Sequence, residues 1–178
     1  MPFAIVDVDY HEAAGRPGSA ATAACLVVER WTDAAPFLTH VVEIAEVLPY
    51  APGRFYEREL PCILAVLAKV RERIDTVVID GYVQLDTDGT AGLGAHLHAH
   101  EHGRFAVVGV AKNAYGDGSF ARAVLRGGSK KPLYVTAVGV DVEDAARRVE
   151  AMHGRHRIPT LLGWVDRLAA GDPPGWPT

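Results

Sequence analysis

Two runs of apolar residues each lead into an aspartate, and this feature most constrains how the chain can fold. Ala4-Ile5-Val6 leads into Asp7, and Val77-Val78-Ile79 leads into Asp80. Short apolar runs predict buried strands, and burying a carboxylate is costly unless a cation or hydrogen-bond donors meet it. Two strand-end carboxylates with a third acid nearby can hold Mg²⁺ for phosphoryl chemistry. For either aspartate alone, capping of a strand end or turn is the simpler interpretation.

Length and composition predict one domain over residues 1–170, followed by a loose tail at 171–178 that is rich in proline. The net charge of −4 gives no basic field for non-specific nucleic-acid binding, but it does not exclude an enzyme whose acids bind metal. Cys25 and Cys62 are far apart in apolar stretches, which predicts buried thiols in a reducing compartment. No apolar run approaches the ~18 residues of a membrane span. We therefore expect a cytoplasmic protein without a membrane partner.

Hydrophobic periodicity and turn residues predict a mixed sheet covered by helices. Three strands joined by short connections form an antiparallel meander, and helices then alternate with strands, which is the ribonuclease H-like order. The predicted strands are 3–9, 21–29, 37–44, 75–80, 105–110 and 133–139. The predicted helices are 57–73, 91–102, 118–126, 142–153 and 159–169.

Six further motifs follow Asp7-Val8-Asp9-Tyr10 along the chain. They are Pro49-Tyr50-Ala51-Pro52-Gly53, Arg58-Glu59-Leu60-Pro61, Val78-Ile79-Asp80-Gly81, Leu93-Gly94 with His98, Gly109-Val110-Ala111-Lys112, and Arg157-Ile158-Pro159 with Asp166. Each fragment alone is weak evidence. The ordered set, with its spacings, resembles the endonuclease V family nearly from end to end.

The resemblance implies a metal site of Asp7, Glu59 and Asp80, with Asp166 as an outer member. The implied cofactor is Mg²⁺, for which Mn²⁺ can substitute. Lys112 ends an apolar run where a cation can stabilise the scissile phosphate, although an ordinary exposed lysine is the simpler interpretation without the family motif.

The resemblance also implies how nucleic acid is bound. Two prolines stiffen Tyr50 in the loop Pro49-Tyr50-Ala51-Pro52-Gly53, so that its ring can separate stacked bases; alternatively, Tyr50 packs on the core. An extruded hypoxanthine is expected to meet backbone groups around Gly81, Leu93 and Gly94, because glycine permits close approach.

The implied activity is hydrolysis of a phosphodiester on the 3′ side of deaminated bases, above all inosine, in DNA or RNA. The protein is expected to act as a monomer and to leave 3′-hydroxyl and 5′-phosphate ends. A second hypothesis is a catalytically weakened protein that only binds modified or structured nucleic acid. A third, a general ribonuclease H-type nuclease or junction resolvase, does not explain the loop at 49–53.

Several positions depart from the family pattern. Asp86 replaces an expected histidine, residues 160–163 replace Glu-Pro-Thr-Arg, and the family's helix ahead of the first strand is not seen. The segment between Lys112 and Pro132 is also short. The histidines at 96–102 resemble a metal tract, but a polar helix surface is the preferred interpretation. Most basic residues of the C-terminal half, a group that includes Arg126 and Arg157, are expected on a solvated face, while Lys130 and Lys131 fit a contact with the nucleic-acid backbone equally well.

Overall fold

The computed structural model describes residues 1–12, 19–172 and 175. Seven strands and four helices are present in this part of the chain. The strands are β1 (Phe3–Glu12), β2 (Ser19–Val28), β3 (Leu38–Val47), β4 (Thr76–Asp80), β5 (Ala106–Ala111), β6 (Arg122–Val124) and β7 (Leu133–Val138). The helices are α1 (Phe55–Leu67), α2 (Leu93–His100), α3 (Val142–Ala151) and α4 (Thr160–Ala169).

All seven strands belong to one mixed sheet with the order β3-β2-β1-β4-β5-β7-β6. The first three strands pair antiparallel, β1 runs parallel to β4, and β4 runs parallel to β5. The last two strands, β7 and β6, complete the sheet through antiparallel pairing. The predicted mixed sheet covered by helices is therefore confirmed.

Helices cover both faces of this sheet because successive side chains of a strand point to opposite faces. Phe3 and Ile5 of β1 belong to the core that packs under α3 and α4. Ala4 and Val6 of the same strand belong to the second core, under α1 and α2. Since both faces are covered, the central strands are apolar at almost every position, as is usual for parallel strands.

One predicted element has the wrong type. The helix expected at 118–126 is absent, and the three-residue strand β6 lies there instead. Gly116, Gly118, Gly127 and Gly128 all have positive φ angles, which a right-handed helix does not contain, so turns bound this segment at both ends. Pairing of β6 with β7 satisfies the backbone groups of this segment and outweighs its helical propensity.

The remaining elements have the predicted types, with different ends. The helix predicted at 57–73 begins at Phe55 and ends at Leu67, and β1 extends to Glu12. The predicted loose tail falls mainly on positions 173–174 and 176–178, which lie outside the described residues. In the described part of the chain, no helix is long and apolar enough to cross a membrane.

Candidate active site

Asp7 and Asp80 lie side by side where the parallel pairing of β1 and β4 ends. The last paired residues of these strands are Val6 and Ile79, and each aspartate follows directly. Asp7 is not at a strand end, however, because β1 continues to Glu12 in antiparallel pairing with β2. The strand-capping interpretation of Asp7 is therefore wrong. Asp7 nevertheless lies where one pairing ends. The parallel pairing stops before Asp7 because β4 has only five residues, whereas β1 has ten.

Lys112 reaches the same place from the next strand. It follows Ala111, the last residue of β5, and its Nζ donates a hydrogen bond to Asp80 Oδ2 at 2.9 Å. By strand alternation, Asp7, Asp80 and Lys112 share the sheet face that packs toward α3 and α4. Burial lowers the pKa of Lys112, but the hydrogen bond and the charge of Asp80 outweigh it and hold this pKa above its usual value. Lys112 is therefore a firmly charged ammonium beside the two carboxylates.

Glu59 comes from the opposite side of the sheet, on helix α1. It is only 5% exposed, because the neighbouring turns of α1 bury Cys62 and Ile63 against the sheet. Burial and then the carboxylates of Asp7 and Asp80 raise the pKa of Glu59 to about 8, against a smaller opposing effect of Arg58. Glu59, the predicted third acid, is thus close enough to Asp7 and Asp80 for their charges to raise its pKa.

Asp7 itself is buried, and its carboxyl Oδ1 accepts a hydrogen bond from the backbone N–H of Val8 at 2.9 Å. Burial first, then Asp80 and Asp166, raise the pKa of Asp7 to about 7, while the Val8 N–H and Lys112 lower it. Asp166 is exposed on α4 and contributes through its charge. All four acids predicted for the metal site therefore interact electrostatically around Asp7.

The donor set fits a hard divalent cation. Two buried carboxylates beside a third must take up protons or meet a cation, since their mutual repulsion is weakly screened. Carboxylate oxygens are the ligands that Mg²⁺ and Mn²⁺ prefer. A cavity of about 10 Å³, room for roughly one water molecule, is lined by Asp7, Asp80 and Lys112. In residues 1–12, 19–172 and 175, however, no three His, Cys, Asp or Glu side chains stand close enough to hold a metal. A bound cation would have to draw the carboxylates together.

A cleft of about 380 Å³ opens beside Asp80. Its walls include four residues of the predicted nucleic-acid site, namely Tyr50, Gly53, Gly81 and Leu93. They also include residues outside the predicted site: Phe55, Tyr56, Tyr82, Leu85, Ala91, Gly92 and Tyr115. The aromatic content of the segments after Gly81 and after Lys112 was the signal that could have identified Tyr82 and Tyr115.

The loop at 49–53 joins β3 to α1 and stands out from the surface. Tyr50 is 62% exposed, so the alternative that it packs on the core is wrong. A turn closes the loop, in which the N–H of Arg54 donates to the carbonyl of Ala51 at 3.0 Å and Gly53 has a φ of 76°. Pro49 and Pro52 are exposed on either side of Ala51. The ring of Tyr50 is therefore free to contact a ligand.

Two glycines of the predicted motifs act in packing. A Cβ on Gly94 would lie 2.6 Å from Val83 Cγ2, so Gly94 lets the start of α2 approach the segment after β4. A Cβ on Gly109 would lie 2.5 Å from the carbonyl oxygen of Gly81. The N–H of Val83 donates to Thr136 Oγ1 at 2.8 Å, which fixes the same turn. Gly94 does not line the cleft, and its predicted contact with a base stays a prediction.

Arg126 is buried and is an exception to the solvated face expected for most basic residues of the C-terminal half. It is 8% exposed, and its guanidinium donates hydrogen bonds to five backbone carbonyls, those of Glu150, Met152, Gly154, His156 and Arg157. It thereby fixes the segment between α3 and α4. The expectation was wrong because three-dimensional contacts, and not local composition, decide the burial of a single arginine.

The clamped segment carries Arg157, whose side chain reaches the active site. Its guanidinium donates to the carbonyls of Lys131 at 2.9 Å and Pro132 at 2.8 Å, and also to the carbonyl of Lys112. Three carbonyls held by one planar group fix the end of β5. Arg157 therefore positions the backbone from which the Lys112 ammonium reaches Asp80.

The histidine tract at 96–102 and Asp86, the residue at the expected histidine position, both have structural roles. His98 lies with its Nδ1 3.0 Å from the carbonyl of Phe105, and His96 stacks on Tyr56 with ring centroids 3.6 Å apart. Asp86 accepts hydrogen bonds from the N–H and the hydroxyl of Thr90. These hydrogen bonds close a turn and lower the pKa of Asp86, with the larger effect from the Thr90 hydroxyl and the smaller from the Thr90 N–H.

Comparisons with known proteins agree with this geometry. A family model for endonuclease V matches residues 3–133. The endonuclease V of Nocardia farcinica is 31% identical over an alignment of 183 positions, which covers 92% of this chain and 77% of the relative. The crystal structure of endonuclease V from Streptomyces avermitilis has 26% identity and a TM-score of 0.74, covering 96% of this chain and 80% of that one. A Ciona intestinalis endonuclease V in complex with inosine-containing DNA shares the fold, with 17% identity, a TM-score of 0.78 and coverage of 96% and 84%.

The mixed sheet, its order and the acids at the ends of its parallel pairing define a nuclease of ribonuclease H-like fold. The predicted fold class is thereby confirmed. With most of its length matched by the family model, the chain belongs to the endonuclease V family, a metal-dependent class of nuclease.

Proposed function

We propose that this protein hydrolyses a phosphodiester bond on the 3′ side of a deaminated base, above all inosine, using Mg²⁺ held by Asp7, Glu59 and Asp80. The observation that carries the proposal is the shared electrostatics of these acids: the pKa of Asp7 is raised to about 7 and that of Glu59 to about 8, beside an open aromatic cleft. Mn²⁺ is expected to substitute, and Asp166 to act as an outer ligand of bound water.

The bound cation would supply positive charge and a more acidic water at the phosphate. The protein's own contribution begins with Lys112. Its Nζ lies 2.9 Å from Asp80 Oδ2, and each side chain of this ion pair is a little more than one-third exposed to solvent. It is therefore open to a phosphate oxygen from solvent and can stabilise negative charge that develops in the transition state. Arg157 keeps the Lys112 backbone in place for this contact.

The cleft supplies the proposed base site. Gly81 and Leu93 line it next to Asp80, so a base extruded into it would place the adjoining backbone near the carboxylates. Nothing lies within 4 Å of a Cβ built on Gly81, and its φ of 136° is one that other residues rarely adopt. Tyr50 stands at the mouth and would fill the space that the extruded base leaves in the stack.

A second candidate is a protein that binds modified or structured nucleic acid with little cutting. One observation favours it: both carboxylate oxygens of Asp86, at the expected histidine position, are engaged by Thr90. Asp86 therefore cannot replace a histidine in positioning substrate without breaking this turn. The intact set of acids and Lys112 favours catalysis over binding alone.

The experiment compares two oligonucleotides that differ only in carrying inosine or guanine at one position. With Mg²⁺, we expect a single nick one nucleotide beyond the inosine on its 3′ side, with 3′-hydroxyl and 5′-phosphate ends. With Ca²⁺, whose larger and looser shell orients water and phosphate less strictly, we expect binding without comparable cutting. Inosine-dependent binding with no nick in Mg²⁺ would favour the second candidate. Equal cutting of both strands would refute the proposal.

Making the same oligonucleotide with deoxyribose and with ribose decides between DNA and RNA, since 2′-hydroxyl contacts distinguish the two. We further propose that the protein acts as a monomer in the cytoplasm. Cys25 and Cys62 are both free and buried, as in proteins of reducing compartments.

A further inference from the structure

Tyr82 forms a fixed aromatic wall of the cleft beside Asp80. Its hydroxyl donates a hydrogen bond to the carbonyl of Asn113 at 2.5 Å. Its ring lies against Phe120, with centroids 5.5 Å apart, and against Tyr115 at 6.1 Å. Both ring pairs are tilted by about 55°, a geometry that aromatic pairs prefer over a face-to-face stack. Three contacts therefore hold Tyr82 in place.

Tyr115 extends this wall toward solvent. It is 51% exposed and lies in the segment between β5 and β6, three residues after Lys112. Single exposed aromatic residues are common on protein surfaces. Here, however, three large exposed ones, Tyr50, Phe55 and Tyr115, line a single cleft that Asp80 also lines. An exposed apolar concentration of this kind marks a binding surface.

The charge of the chain strengthens this interpretation. The net charge is −4, so the protein as a whole does not attract a polyanion. Because the overall field is not basic, contacts other than phosphate neutralisation are expected to contribute much of the affinity for nucleic acid. Stacking of unpaired bases on aromatic rings is the contact that these side chains offer, and it is independent of base identity.

We propose that Tyr82 and Tyr115, termed here the tyrosine wall, form a stacking site for an unpaired base that neighbours the deaminated one. The volume of the cleft, about 380 Å³, is in the range of sites for drug-sized ligands and is larger than a single extruded base requires. A neighbouring base stacks on the wall only when it is free of its own partner strand. The proposal rests on the proposed function and narrows its substrate class to single-stranded or locally opened nucleic acid.

The test measures binding of an unmodified single strand that carries the fluorescent base 2-aminopurine, in Ca²⁺ so that no cleavage is needed. Tyr115→Ala should weaken binding by about 5- to 150-fold and reduce the quenching of 2-aminopurine. Because stacking involves no phosphate charge, the slope of affinity against salt concentration should not change. Tyr115→Phe keeps the ring and should bind as the wild type does.

Phe37→Ala is the matched control. Phe37 is another exposed aromatic residue, 47% accessible, but it precedes the edge strand β3 and does not line the cleft. Its loss should leave binding unchanged. A blunt duplex, whose bases are all paired, should bind wild type and Tyr115→Ala equally.

The tyrosine wall would be refuted if Tyr115→Ala bound the strand and quenched 2-aminopurine as the wild type does. It would also be refuted if Tyr115→Phe lost as much affinity as Tyr115→Ala. A separate inosine cleavage assay distinguishes this failure from failure of the proposed function. Ring-dependent quenching without inosine cleavage would refute the proposed function but support the wall. Inosine cleavage without ring-dependent quenching would support the proposed function but refute the tyrosine wall.

Discussion

Replacing Glu59 with glutamine should change how the stability of the metal-free protein depends on pH. The pKa of Glu59 is raised from its ordinary 4.5 to about 8 by burial and by the neighbouring carboxylates. The folded chain therefore holds the Glu59 proton more tightly than the unfolded chain does. This carboxyl makes folding less favourable as pH rises from about 4.5, and the full penalty is reached above pH 8.

The magnitude follows from the two pKa values. Since one pKa unit is worth about 1.4 kcal/mol, ionisation of Glu59 lowers the free energy of unfolding by about 1 kcal/mol at pH 5 and about 5 kcal/mol at pH 9. A glutamine side chain does not ionise, so Glu59→Gln avoids the penalty. Any fixed cost of burying the amide is the same at both pH values. The variant should therefore gain about 4 kcal/mol over the wild type between pH 5 and pH 9.

Urea unfolding in EDTA at several pH values measures this difference directly. Glu46→Gln, at an exposed position of β3, is the control and should keep a constant difference from the wild type. Mg²⁺ at pH 9 should narrow the gap between wild type and Glu59→Gln, because a cation stabilises the ionised carboxylates. A gap that stays within about 1 kcal/mol from pH 5 to pH 9 would refute the electrostatic account of the site.

Three further substitutions separate the parts of the site. Asp80→Asn should abolish cleavage yet change stability by less than about 1 kcal/mol, because its ion pair with Lys112 is partly exposed; a tenth of wild-type turnover in saturating Mg²⁺ would contradict its metal role. Tyr50→Ala should slow cleavage of inosine in duplexes far more than in single strands, as extruding a paired base costs a few kcal/mol; equal losses would disprove the strand-separating role. Arg157→Lys should lose hydrogen bonds to the carbonyls around Lys112, which should reduce the free energy of unfolding by about 1–3 kcal/mol and lower kcat with little change in KM. An unchanged kcat would show that Arg157 has only a structural role.

The architecture was predictable because it is encoded locally. Apolar runs of strand length and the apolar stripe of α1 identify the elements, and short connections identify the antiparallel start of the sheet. The error at β6 has the opposite origin. Residues 122–124 carry no strand pattern of their own, and pairing with β7 decides their conformation.

Asp7 and Asp80 stand out in the sequence because each directly follows an apolar run, whereas Glu59 and Asp166 were expected only from the resemblance to the family. The electrostatic interaction of Glu59 with Asp7 could not be predicted locally, since Glu59 comes from the helix layer on the far side of the sheet and approaches Asp7 only in the fold. Arg126 shows the limit most clearly. Its five acceptors are backbone carbonyls of residues 150–157, and carbonyls leave no signature in sequence.

The cleft shows the same division. Tyr50 and Gly53 belong to a motif, whereas Tyr82 and Tyr115 lie 33 residues apart and become neighbours only because β4 and β5 are parallel partners. Their segments both leave the same edge of the sheet.

The most direct test of the central claim is to move the lesion and map the cut. One strand is prepared with inosine at a given position and a second with inosine three nucleotides further along, and both are incubated with wild-type protein and Mg²⁺. The account predicts one nick per strand, displaced by the same three nucleotides and absent with Asp80→Asn. A nick that stays in place when the inosine moves, or that persists with Asp80→Asn, would contradict it.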